Sequence, residues 1–121
     1  MYKVTKRLEI SASHKLQLPY ESKCQNLHGH NWLVDIEITA NELTDYGMVL
    51  DFVHIKNLIH SKLDHQNLNE ILQVNPTAEN IAKWIASEIN LYLDLNESDR
   101  TVYVSKVKVQ ESEGNIAEWR I

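Results

Sequence analysis

The sequence predicts an α+β domain: a four-stranded antiparallel sheet with two helices on one face, in the order ββααββ. Three observations carry this. Two N-terminal stretches alternate apolar and polar residues, two central stretches place apolar residues at helical spacing, and two β-rich runs close the chain. The 121 residues are read as a single domain, 1–121, long enough to bury about two-thirds of its unfolded surface.

The first strand is read from Tyr2 to Ser13. Val4, Leu8, Ile10 and Ala12 share one parity, and Lys3, Thr5, Arg7, Glu9 and Ser11 the other. The stretch "NWLVDIEITA" repeats the pattern, with Trp32, Val34, Ile36 and Ile38 opposed to Asp35, Glu37 and Thr39. Between them "KLQLPYESKCQNLHG" reads as a loop, and "NELTDYGM" as a turn region. Asp51 then stands where a helix N-cap belongs, followed by Ile55, Leu58, Ile59 and Leu63 at helical spacing up to "LDHQNLN". The second helix opens at "NPTAEN". Pro76 halts the preceding segment, Thr77 caps, and Glu79 suits the positive end of the helix dipole. Ile81, Ala82, Ile85, Ile89, Tyr92 and Leu93 form its apolar stripe. The runs "TVYVSKVKVQ" and "IAEWRI" are joined by "ESEGN", where Gly114 can take a positive φ. A four-stranded sheet leaves two edges unpaired, and oligomerisation through them would satisfy those backbone groups.

The net charge of −5 and the lack of a lysine or arginine run exclude nucleic acid binding through a basic face. A small local cluster of cations could still hold phosphates; Lys15, Lys23 and Arg7 are candidates. No stretch has 18 uninterrupted apolar residues, so no membrane helix is expected. The N-terminus alternates charged and apolar residues without the apolar core of a signal peptide. One cysteine excludes an internal disulfide, and a reducing, cytoplasmic location is expected.

The densest chemistry lies in "CQNLHGH". His28 and His30 are two apart, which on a strand puts both imidazoles on one face, roughly 6–7 Å apart at the backbone. His14, at the end of the first strand, shares parity with Ile10 and Ala12. If the two strands are adjacent, all three rings point to the same side near one end of the sheet. Three neutral histidines with an open fourth position are the ligand set of a catalytic zinc. His54 and His60, on the first helix, are read as surface residues.

Cys24 admits three readings: a small buried hydrophobe, a base or nucleophile favoured by a nearby cation, or a fourth ligand closing the site. Asp64 and His65 could form a proton-transfer pair, but neighbours on a helix do not face each other. They can pair only if the helix has ended; otherwise His65 complements the helix dipole and Asp64 is solvated. Glu111 shares parity with Val107 and Val109, so a carboxylate stands where an apolar side chain is expected. It is either an exposed strand end or a buried acceptor for a ligand with two N–H donors.

Taken in order, "SASH", "CQNLHGH", "GMVLDF", "LDHQNLN", "NPTAENIAKWI" and "VQES" resemble the 6-pyruvoyl-tetrahydropterin synthase family over nearly the whole chain. They are most similar to its 6-carboxy-5,6,7,8-tetrahydropterin synthase branch, which serves queuosine and deazapurine biosynthesis. The short C-x-x-x-H-G-H segment favours that branch over the animal biopterin enzymes, which carry a longer insert, and Cys24 separates it from the folate-bypass branch, which has glutamate there. Ile10, where an aromatic is frequent, and Ser112, where threonine is common, depart from the pattern without touching chemistry.

The resemblance implies that His14, His28 and His30 hold Zn2+, that Cys24 abstracts a substrate proton, that Asp64 and His65 form a second relay, and that Glu111 anchors the pterin. It implies the tunnelling fold, with subunits joined into a trimer or hexamer and active sites between chains. The implied reaction converts 7,8-dihydroneopterin triphosphate to 6-carboxy-5,6,7,8-tetrahydropterin with release of acetaldehyde and triphosphate. Two alternatives stand beside it: triphosphate elimination to a pyruvoyl product, and a zinc-stabilised oligomeric binding protein without turnover.

Overall fold

A computed structural model describes residues 1–121. Strands β1 (Tyr2–His14) and β2 (His28–Ala40) form a long antiparallel pair in unbroken register from Tyr2 opposite Ala40 to His14 opposite His28. Helix α1 (Phe52–Leu63), the two-residue strand β3 (Gln66–Asn67) and helix α2 (Ala78–Asn96) follow, and β4 (Val102–Ser112) and β5 (Asn115–Arg120) close the chain. The sheet order is β3-β1-β2-β4-β5.

This corrects the expected four-stranded antiparallel sheet. The four long strands pair antiparallel, but the fifth, β3, runs parallel to β1 through Ala12–Gln66 and Ser13–Asn67. Two polar residues carry no period-two signal. Only their position after α1 brings them to the edge of β1. His14 closes β1 as read, while β2 starts at His28, ahead of the alternating stretch, and β4 continues to Ser112.

One sheet face supplies Leu8, Ile10, Trp32, Val34, Ile36, Val107 and Val109 to a 25-residue core with Ile55, Ile59 and Leu63 of α1 and Ile81, Ile85, Ile89 and Leu93 of α2. The other face carries charge. Arg7 and Asp35, directly opposite in register, form a two-bond pair at 2.8 and 3.0 Å. Glu37 lies 3.6 Å from Lys3 and 3.7 Å from Lys106. The β2–β4 register slips by one residue at Ser105, whose hydroxyl donates to the Glu37 carboxylate at 2.7 Å and accepts from Thr39 at 2.8 Å. The slip lets Val104 and Val107 both face the core despite their odd separation.

Both helices start as the sequence expects. The Asp51 carboxylate accepts the Val53 N–H, and the Thr77 hydroxyl the Asn80 N–H. These caps satisfy amides that have no intrahelical partner. No helix is long and apolar enough to cross a membrane.

Candidate active site

Register alone assembles the three histidines. His14 sits opposite His28, and His30 opposite Ala12, so the rings emerge side by side on the helix-facing side. Their centroids are 4.6 to 5.2 Å apart, and one nitrogen of each lies within 4.8 Å of the others. Trp32 forms the floor, edge-on to His14 and His30 at 4.8 and 5.3 Å. It is fixed by donating its indole N–H to the Ala12 carbonyl at 3.1 Å.

The rings are oriented from behind. The Nδ1 of His14 lies 2.7 Å from the Pro76 carbonyl, and that of His28 2.6 Å from the Asn26 carbonyl. A carbonyl can only accept, so each Nδ1 carries the proton and each Nε2 presents a lone pair, the outer arrangement typical of metal-bound imidazole. The Nε2 atoms of His14 and His30 are buried with no hydrogen-bond partner. His14 is 1% exposed, and burial holds its pKa below the usual imidazole value, opposed by the Pro76 hydrogen bond and Glu111. Buried, unpartnered nitrogens that converge on one point fit a divalent cation of zinc type.

Glu111 lies beside the imidazoles. Its carboxylate oxygens lie 3.4 Å from His30 Nε2 and 3.8 Å from His14 Nε2. Gln110 pairs with Ile116 and Ser112 with Asn115, which leaves Glu111 as the extra residue of a β-bulge. A bulge re-aims a side chain, here toward the imidazoles. Its side chain is 26% exposed, neither fully buried nor a freely solvated strand end.

Asp64 and His65 do face each other. Helix α1 ends at Leu63, and His65 adopts a left-handed backbone with φ 59°. That sharp turn brings His65 Nε2 to 3.4 Å from Asp64 Oδ2. Asp64 Oδ1 accepts the Ser11 N–H at 3.0 Å, while the His65 N–H donates to the Ser11 carbonyl at 2.7 Å. The Ser11 hydrogen bond, followed by the nearby histidines, draws the Asp64 pKa below its usual value. His60 joins this group, 3.6 Å from Asp64 Oδ2. That refines its reading as a surface residue: its side chain is 31% exposed, and the i,i+4 spacing to Asp64 was in the sequence. His54 packs edge-on against Tyr92 at 4.7 Å and belongs to no such cluster.

Cys24 lies partly buried in a short 3-10 turn, Lys23–Gln25, capped by Ser22. Its thiol does not belong to the group of mutually close ligand atoms, which comprises the three histidines. Asp64 and His65 also stand apart from that group, and the His65 side chain is 82% exposed.

A family model described as 6-pyruvoyl tetrahydropterin synthase matches residues 3–121. The 6-carboxy-5,6,7,8-tetrahydropterin synthase of Rickettsia typhi is 34% identical, over 98% of this chain and 99% of that protein. The enzyme of the same name from Bacillus subtilis is 32% identical, over 83% of this chain and 73% of that one. The fold matches the structure of Caenorhabditis elegans 6-pyruvoyl tetrahydropterin synthase with a TM-score of 0.76 at 24% identity, covering 99% of this chain and 95% of that one. With the motifs, the paired-strand histidines and full-length matches in agreement, the chain belongs to the 6-pyruvoyl tetrahydropterin synthase family, an enzyme family of tetrahydropterin synthases.

Proposed function

We propose that the protein is a zinc-dependent lyase that converts 7,8-dihydroneopterin triphosphate and one water to 6-carboxy-5,6,7,8-tetrahydropterin, acetaldehyde and triphosphate, within deazapurine biosynthesis. The observation that carries the metal part is the pair of buried, unpartnered Nε2 atoms of His14 and His30, converging with His28. The product assignment is supported by the names of the bacterial relatives. Bound by these three residues, zinc supplies Lewis-acid polarisation of the substrate side-chain oxygens.

The remaining work falls to the protein. Glu111 accepts the ring N–H and amino donors of the pterin and fixes the ring beside the metal site. Cys24, as thiolate, takes the C1′ proton while the ring is reprotonated. The His65–Asp64 pair moves the side-chain hydroxyl proton, and carbon–carbon cleavage follows, one water supplying the added carboxylate oxygen as acetaldehyde and triphosphate leave. Because His65 points outward, it completes a site on a neighbouring subunit. The edge of β5 and the length of β1 that the two-residue β3 leaves uncovered support assembly as a trimer or hexamer through continuous sheets.

Product analysis tests the reading. Metal-replete protein incubated with dihydroneopterin triphosphate should release acetaldehyde in step with triphosphate. Triphosphate with a diketopterin and no acetaldehyde assigns the pyruvoyl reaction instead. Absence of turnover, with a metal bound by four protein ligands including Cys24, assigns the binding-protein reading.

A further inference from the structure

The loop that carries Cys24 is held by two asparagine side chains that imitate a neighbouring strand. The Asn69 amide accepts the Lys15 N–H at 2.8 Å and donates to the Lys15 carbonyl at 2.9 Å. The Asn75 amide does the same for Gln17, at 2.9 and 2.8 Å. Residues 15 and 17 of an extended segment present their N–H and C=O groups to one side, and residue 16 presents its own to the other. On that other side the Leu16 N–H donates to the Cys24 carbonyl at 2.7 Å, and the Leu18 N–H to Gln25 Oε1 at 3.3 Å. Lys15–Leu18 is thus an extended rail between two asparagine clamps and the cysteine turn.

The clamps are themselves anchored. The Asn69 N–H donates to Asn67 Oδ1 at 3.0 Å, next to β3. The Asn75 carbonyl accepts the Thr77 N–H at 2.8 Å and the Asn80 side-chain amide at 2.9 Å, at the start of α2. The next residue, Pro76, supplies the carbonyl that orients His14. The same turn therefore fixes a metal-site imidazole through its main chain and the thiol loop through a side chain.

The geometry points to Asn75 and Asn69 as positioning residues that set the place of the Cys24 thiol through Gln17, Lys15 and Leu16. This deepens the proposed function, since it rests on Cys24 as the base. Asn75→Ala should lower kcat by roughly 10- to 100-fold while leaving KM within about threefold, the pattern of a misplaced reacting group. Iodoacetamide, acting on the single cysteine of the native zinc-loaded protein, should modify Cys24 at least about fivefold faster as the loop loosens. Zinc content should not change.

Asn90→Ala is the control. Asn90 also holds a backbone N–H, that of Val104 at 2.9 Å, but on the α2–β4 contact. It should lower thermal stability without altering kcat or the alkylation rate. Asn69→Ala carries the same test should Asn75→Ala not fold. Clamp variants with wild-type kcat and alkylation overturn the inference, as does a parallel loss of zinc, which would mean that Asn75 acts through Pro76 on His14. Full turnover by Cys24→Ala would overturn the reading of the base instead, while the alkylation rates would still score the clamp.

Discussion

Replacing His14 with alanine separates the metal site from ordinary packing. In the metal-free protein three contributions compete. The Pro76 carbonyl loses its buried partner, which costs about 1–3 kcal/mol, and the missing ring leaves a void beside Trp32. Against these, removal of an unpartnered buried Nε2 relieves a desolvation cost of roughly 1–3 kcal/mol. The two hydrogen-bonding contributions roughly cancel, so the net loss is set by the void, about 2–5 kcal/mol for a large side chain cut to alanine. Zinc changes the comparison. At a free concentration about 100 times its dissociation constant, a ligand that binds only the folded state adds about 2.7 kcal/mol. Unfolding entropy of about 2.1 cal/mol/K per residue over 121 residues turns that into a rise in Tm of about 10 °C. His14→Ala, left with two imidazoles, should show almost none of that rise. Thermal scans of both proteins with and without zinc, at pH 8 and one protein concentration, measure the difference of differences. Equal zinc shifts in the two proteins would falsify the assignment of His14 as a ligand.

Cys24→Ala should retain stoichiometric zinc and lose turnover by about 100- to 10,000-fold, the range of a lost general base; zinc loss measured by atomic absorption would make Cys24 a ligand instead. Glu111→Ala should raise KM at least about tenfold, since hydrogen bonds to a charged acceptor contribute about 1.5–3 kcal/mol, and an unchanged KM contradicts the anchoring role. Metal-free protein should lose stability in acid. Burial holds the His14 pKa below 6.5, so the folded state binds fewer protons than the unfolded one. The stabilisation is complete above pH 6.5 and is lost as pH falls from there through the folded pKa. Tm should drop more steeply between about pH 7 and 5 in the wild type than in His14→Ala, and parallel slopes would show that His14 does not titrate as argued.

The parts of the fold legible in the sequence were those with a period. Alternation from Val4 to Ala12 and from Trp32 to Ile38 identified β1 and β2, and shared parity at their ends brought the three histidines together. The stripes from Ile55 and Ile81, with caps at Asp51 and Thr77, identified both helices. Features without a period escaped. β3 has two polar residues and exists because α1 delivers them beside β1. The slip at Ser105 is visible only in the pairing with β2. Pairing of Asp64 with His65 depended on where α1 stops, and no glycine marks that stop. His65 itself takes the left-handed conformation, which a non-glycine residue adopts only when its surroundings fix it. Those surroundings are the two Ser11 hydrogen bonds, from a residue distant in sequence.

The candidate functional groups stand where regular structure ends, and each ending has its own physical cause. Glu111 turns toward the imidazoles because β4 carries one residue more than β5 at that point. His65 is exposed because α1 stops on a left-handed residue tied to β1. Cys24 sits in a turn whose rail is paired by side-chain amides rather than by a strand. The histidines alone use unbroken register, and they are the group that must converge on one point. A ligand set tolerates displacements of only about 0.5 Å, which a continuous two-strand ladder can guarantee. The proposed pterin anchor and proton carriers must reach a substrate that enters and leaves, so they belong on the bulge, the helix stop and the clamped loop. Substitutions in the β1–β2 ladder should therefore alter metal affinity and activity together. Substitutions at the clamps, or at the Ser11 contacts to Asp64 and His65, should alter activity while the metal stays bound.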